Sequence, residues 1–253
     1  MPTYNLLNTI ATYLLLVYNL LHYKKKRELL SGPSHAAMRH FQAKGNFVAK
    51  VLAKPFLWTI LEIGLISSLQ YIYVGFLNAG LGNLLKTGAN YFGIIYFAPL
   101  LVFVFCLIVR IDPLAQMDLI TPAYPLALTM VKISCFVTGC CGGIAWENGK
   151  YNPVTRQIEF PVQLLESAVA FALFLFLTCF KKKFKKGTIF PIYLTVYSAL
   201  RFCTEFFRSD PNVLWGLKTY HFLCIIGVIL GVIEYIAARK YDERMQKKKT
   251  EEK

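Results

Sequence analysis

The chain has 253 residues, 56% of them hydrophobic, yet only 17% charged, with a mean hydropathy of +0.46. That balance excludes an ordinary soluble domain and fits a polytopic membrane protein whose length one helical bundle uses up. A formal net charge of +14 would suggest nucleic acid in a soluble chain. Here the lysines flank apolar runs, so cytoplasmic loops and anionic lipid headgroups account for them and nucleic acid is not expected as a partner.

In chain order, Tyr4–Tyr23 is the first apolar run, and Lys24–Arg27 follows it directly. No cleavable signal is expected, because the charges follow this run instead of preceding it. Residues 24–54 are basic, with His35, Arg39, His40, Lys44, Lys50 and Lys54, which makes them cytoplasmic and puts the N-terminus outside. Pro55–Leu77 is the second span and carries Glu62. A glycine-rich outer loop, 78–90, leads to the third span, Tyr91–Val109. The fourth span runs from Thr121 to Thr138, with Pro122 and Pro125 near its start, where first-turn amides lack helical partners. It closes on Gly139-Cys140-Cys141-Gly142-Gly143.

Residues 144–161 read as a polar outer loop with Trp146 and Tyr151 at headgroup level. The fifth span, Val162–Phe180, holds Gln163 and Glu166 in its first turns and ends at the lysine run 181–186. The sixth, Thr188–Phe207, holds Arg201 and Glu205 and leads to Arg208. After a short loop, 209–219, comes the seventh, Tyr220–Ala237. The sequence thus predicts an all-α bundle of about seven transmembrane helices, N-terminus outside and C-terminus cytoplasmic. A single membrane domain would occupy 1–240, and a charged, frayed tail 241–253.

A charge in the hydrocarbon region costs about 2.5–3.5 kcal/mol on insertion scales, so intramembrane charges face the bundle interior in pairs. Glu62, Lys132, Arg201 and Glu205 are such charges; Glu166 and Arg208 lie nearer the outer boundary. Arg201, Glu205 and Arg208 share one helix face at i, i+4 and i+7, and Tyr197 extends it by a turn. Two arginines around a glutamate suit either a lipid-phosphate site or an interhelical charge network. Lys132 needs a carboxylate, and Glu62 is the candidate. Glu166 is either a partly desolvated proton acceptor or an acid suited to a helix N-terminus.

Seven cysteines do not make a disulfide scaffold here, and Cys106, Cys179, Cys203 and Cys224 lie within apolar runs as small buried residues. Cys140-Cys141 admits a nucleophile, a metal-ligand pair, a disulfide or a tight turn that lets backbones approach. Adjacent cysteines pair only in a strained ring, and no standard His/Cys spacing completes a zinc site, so no metal is expected.

Three blocks carry a resemblance: Cys135-Phe-x-x-Gly-Cys-Cys-x-Gly143, Pro161-x-Gln-Leu-x-Glu166 and Tyr197-x-x-x-Arg201-Phe-x-x-Glu205-Phe-x-Arg208. In this order and spacing, over roughly residues 112–232, the chain resembles the bacterial prolipoprotein diacylglyceryl transferase family in its Gly-Cys-Cys version. The resemblance implies a multi-pass enzyme of the bacterial cytoplasmic membrane. Such enzymes move diacylglyceryl from phosphatidylglycerol to the lipobox cysteine thiol of a prolipoprotein and release glycerol phosphate. No cofactor is implied; the partners are phosphatidylglycerol, other membrane lipids and the prolipoprotein.

Glu166, Arg201, Glu205 and Arg208 fall on catalytic positions of the family, and Lys132, Arg201 and Arg208 on its phosphate contacts. Cys140, Cys141, Gly142, Gly143, Gln163 and Tyr197 support them. The substrate brings its own thiol, so Cys140 and Cys141 need not be nucleophiles. Three departures stand out. Lys132 replaces a family arginine, Ser134 a glycine, and Tyr96-Phe-Ala-Pro99 a His-Gly-Gly or Tyr-Gly-Gly element. They keep open a relative that binds phospholipid or lipoprotein without transfer. A channel or transporter using the same charges lacks an inverted repeat.

Overall fold

The computed structural model describes Pro113–Glu251, together with Val17, Tyr18, Leu21, Ile95, Tyr96 and Val104. Most of the first and third expected spans, the whole of the second, the 24–54 loop, Glu62 and Cys106 lie outside the described residues. The chain divides into two compact units, one of Met1–Leu15 and Ile120–Lys253, the other of Leu16–Leu119. Every described site residue belongs to the first.

Five helices are described: α1 (Pro113–Ile120), α2 (Ala123–Thr138), α3 (Val162–Cys179), α4 (Ile189–Glu205) and α5 (Thr219–Glu251). All but Ile120 of α1 falls in the second unit. Among the described residues, three stretches are long and apolar enough to cross a membrane: Pro113–Thr138, Val162–Cys179 and Thr219–Arg244. At 17 residues, α4 is one residue shorter than α3.

Helices α2 to α5 pack on one another in chain order. Pro125 in α2 and Pro191 in α4 sit in first turns, where a missing N–H costs no helical bond. Between α2 and α3 the Ser167 hydroxyl donates to the Thr129 carbonyl at 3.1 Å. Leu128, Ala170, Leu173, Leu177, Phe190, Tyr193 and Leu194 are buried among these helices. Tyr193 stacks on Tyr124 at 6.2 Å and on Tyr197 at 5.8 Å between ring centroids. These rings anchor the face of α4 from which Arg201 projects two turns later.

Two connections expected as outer loops are β-ribbons. Strands β1 (Ala145–Asn152) and β2 (Gln157–Glu159) pair antiparallel, as do β3 (Asn212–Leu214) and β4 (Leu217–Lys218). The all-α expectation therefore holds for the described helices and fails at these connections. Polar residues on both faces of β1 conceal the period-two apolar pattern that marks a half-buried strand. The first ribbon is turned by Asn152, whose side-chain oxygen accepts from Val154 N–H at 2.9 Å and whose carbonyl accepts from Arg156 N–H at 2.8 Å. The second turns at Trp215-Gly216, both at positive φ, as a two-residue hairpin turn requires.

The tail also departs from expectation, since α5 continues to Glu251 instead of fraying after Ala237. Arg239 pairs with Glu243 at 3.1 Å, and the Gln246 amide donates to Asp242 at 2.9 Å. Such i,i+4 pairs support a solvated helix that has no apolar face.

Candidate functional site: a buried ion cluster at the ends of α2, α3 and α4

Helix α2 ends because Gly139 adopts the left-handed conformation, φ +73°, and its N–H returns to the Cys135 carbonyl. The chain then doubles back, and its glycines allow close approach. A Cβ on Gly143 would sit 2.9 Å from the Phe207 carbonyl oxygen and against that of Phe160. Gly143 bridges to Arg208. Ile144 N–H donates to Phe207 at 2.9 Å, and the Ser209 hydroxyl to the Gly142 carbonyl at 3.2 Å. The turn after α2 is thus sewn to the turn after α4, and Arg208 sits at the seam.

Gly143→Ala is therefore expected to destabilise the protein by about 1–3 kcal/mol, since backbone must move. Gly142→Ala would meet only the Glu159 carboxylate, a side chain that can shift. Thermal unfolding of both variants in detergent checks the order; equal losses would contradict it.

Glu166, in the second turn of α3, is the centre. Its Oε2 pairs with Lys132 of α2. Its Oε1 lies 2.8 Å from Arg201 Nη1 and 3.7 Å from Arg208 Nη1. Arg201 Nη2 also holds Glu205 Oε2 at 2.6 Å, and Arg208 Nε lies 3.7 Å from the same oxygen. Glu166 is 4% exposed and Glu205 0%. Glu166, one helix over, supplies a carboxylate to Lys132; the expected partner Glu62 lies outside the described residues.

Arg208 is bound from outside by Asp210 at 2.8 Å. Burial works against its charge, but Glu166 and Asp210 hold the guanidinium protonated beyond its ordinary range. Gln163 donates to the Cys140 carbonyl at 2.8 Å and pins the turn to α3. Tyr197 is buried behind Arg201 and stacks on Tyr193. The Arg201 guanidinium also lies over the Tyr220 ring, 5.9 Å from its centroid.

Sequence reasoning missed Lys218. It is buried, and its ammonium donates to the carbonyls of Glu205, at 2.8 Å, and of Arg208. A cation so placed caps the end of α4. Its N–H is accepted by His221 Nδ1 at 3.0 Å. In sequence it reads as a boundary lysine before the last helix, and nothing there signals its inward turn. Lys218→Met keeps the stem and removes the donors, so a loss of about 1–3 kcal/mol in unfolding free energy is expected. A melting temperature equal to the parent's would refute the cap.

Also missed was the grouping of Cys135 with Cys140 and Cys141, whose three sulfurs lie within 4.8 Å of one another. Hydrogen bonds from the Cys135 and Cys140 thiols pull the Cys141 thiol well below the usual thiol range. Lys132 and Arg208 add to this, against burial.

The model of the family described as prolipoprotein diacylglyceryl transferase matches residues 5–237. The chain belongs to that family. Among curated relatives, the phosphatidylglycerol–prolipoprotein diacylglyceryl transferase of Clostridium tetani is 30% identical over 162 residues, 60% of this chain and 64% of that protein. A second such enzyme, from Clostridium perfringens, is 34% identical over 128 residues, 47% of this chain and 50% of the relative. That of Lactococcus lactis subsp. cremoris is 28% identical over 163 residues, 60% of this chain and 62% of the relative. The chain thus spans half to just under two thirds of the length of these relatives. Family membership accounts for a membrane protein.

Proposed function

We propose that this chain transfers a diacylglyceryl group from phosphatidylglycerol to the lipobox cysteine thiol of a prolipoprotein. The observation that carries the reading is the convergence of Lys132, Arg201 and Arg208 on the single carboxylate of Glu166, in a chain of this family. Cations gathered beyond the need of one buried acid are suited to an anionic ligand.

In the mechanism, the lipid phosphodiester displaces Glu166 from Arg201 and Arg208, and Lys132 stays near the phosphate as a point charge. The carboxylate so released accepts the proton of the incoming thiol; Glu205, held by Arg201, keeps the guanidinium oriented. The thiolate attacks the glyceryl carbon that bears the phosphate. A C–S bond forms, the C–O bond breaks, and its electron pair leaves on glycerol phosphate. The arginines stabilise that developing charge without having to reorganise. Gly142 and Gly143 keep the turn narrow, Gln163 pins it, and Tyr197 backs Arg201. Cys140 and Cys141 take no part as nucleophiles.

The same reading places the enzyme in the bacterial cytoplasmic membrane as a single domain of about seven spans over 1–240. The N-terminus is outside and the C-terminal segment, 241–253, cytoplasmic. It works among phosphatidylglycerol and other membrane lipids, without nucleic acid. The test is complementation of a bacterium depleted of its own transferase, with a reporter prolipoprotein followed by mass. The expected result is a gain of one diacylglyceryl group. An unmodified reporter despite confirmed membrane expression overturns the proposal.

A further inference from the structure

We propose that Cys135, Cys140 and Cys141 form a trithiolate site for one thiophilic d10 cation, with zinc as the representative probe. The three sulfurs already lie within 4.8 Å of one another. Zinc–thiolate bonds of about 2.3 Å set sulfurs roughly 3.8–4.0 Å apart, so binding asks for less than about 1 Å of closure. Three soft donors and no oxygen or imidazole select for such a cation over magnesium or calcium.

The backbone is shaped for this grouping. Cys135 is the last buried residue of α2, and Gly139 at φ +73° folds the chain back over that helix end. Cys140 N–H then donates to the Cys135 carbonyl at 3.1 Å. Cys141 itself holds φ +58°, a left-handed conformation costly for a residue with a side chain, and thereby brings its sulfur inward. Gln163 fixes the Cys140 carbonyl, and Ser209 the Gly142 carbonyl, so the turn is held by contacts other than the sulfurs themselves. The Thr138 hydroxyl donates to the Cys140 sulfur at 3.4 Å and orients it.

Access and charge also fit. Cys135 is buried, Cys140 half-buried and Cys141 exposed, which leaves a path for an ion. Binding takes all three sulfurs as thiolates and leaves a zinc trithiolate with one net negative charge. Lys132, three residues before Cys135 on α2, and Arg208, on the turn sewn to Gly143, supply compensating charge nearby. The fourth coordination position is left to a water or an exogenous thiol. The site stands on this geometry alone and does not depend on the transfer reading.

The test uses the full chain, reduced, in detergent. A maleimide labels accessible thiols with and without added zinc, and the labelled positions are mapped by mass. Labelling of Cys141 is expected to fall to background at one zinc per chain. Exposed Cys179 and Cys203 remain labelled as internal controls. Cadmium should add a thiolate-to-metal absorption band that Cys135→Ser removes. Unchanged labelling of Cys141, equal protection of all cysteines, or a cadmium band that survives Cys135→Ser overturns the proposal. The labelling arm uses the unaltered protein, so it stands even if that variant does not fold.

Discussion

Glu166→Gln will leave phospholipid binding intact or tighter while transfer falls by about 10²–10⁴-fold, the range typical of a lost general base. Glutamine keeps the shape of the side chain and loses both its charge and its capacity to take a thiol proton. Lys132, Arg201 and Arg208 all lean on this one carboxylate. Without it Glu205 and Asp210 are the described carboxylates left to compete with a lipid phosphate for Arg201 and Arg208. A merely structural Glu166 would give the opposite pattern, with binding and folding lost together. The check is a pair of measurements on one preparation: lipid retention by the purified variant, and transfer to a lipobox peptide. Transfer within about tenfold of the parent enzyme would remove Glu166 from the role of base.

Arg201→Ala is expected to be the most destabilising change in the cluster. Truncating one partner of a buried ion pair costs about 3–5 kcal/mol, because the other charge stays behind unpaired. Here two carboxylates stay behind, Glu166 and the fully buried Glu205, each held by a different nitrogen of the same guanidinium. Arg201→Lys restores one charge but can satisfy only one of them. Losing one charge-assisted bond is worth about 1.5–3 kcal/mol, so this variant should fold while transfer drops by roughly 10–100-fold. Thermal unfolding and transfer measured on both variants separate the two effects. Equal stability of the alanine and lysine variants would count against the fork.

The contents of this cluster were legible in the sequence, but its pairing was not. The spacing of Arg201, Glu205 and Arg208 fixes a shared face, because a helix has one period. Glu166 stood out as an acid at the start of an apolar span. That Lys132 meets Glu166 depends on how α2 packs on α3, which no local pattern encodes. Lys218 shows the same limit, since its partners are backbone carbonyls of α4 and leave no mark in composition. The ribbons escaped because their residues are polar on both faces. The end of α5 escaped because its stability comes from i,i+4 pairs and not from an apolar stripe. The sulfur trio escaped because Cys135 belongs by sequence to a span, while Gly139 returns the chain to it.

The cap on α4 also alters the charge balance around Arg208. Among the described residues no carboxylate pairs with Lys218, whose donors are spent on neutral carbonyls. Its charge therefore remains in the field of the site. Lys132, Arg201, Arg208 and Lys218 then face Glu166, Glu205 and Asp210, four cations against three carboxylates. One phosphodiester, with its single charge, brings the group to neutrality. A phosphomonoester carries nearly two charges at neutral pH. Under the proposed transfer the thiol proton lands on Glu166, so site and product stay balanced until that proton passes to solvent. The monoester then overfills the site, and its release would follow from the same electrostatics that drew the lipid in, with no moving part required.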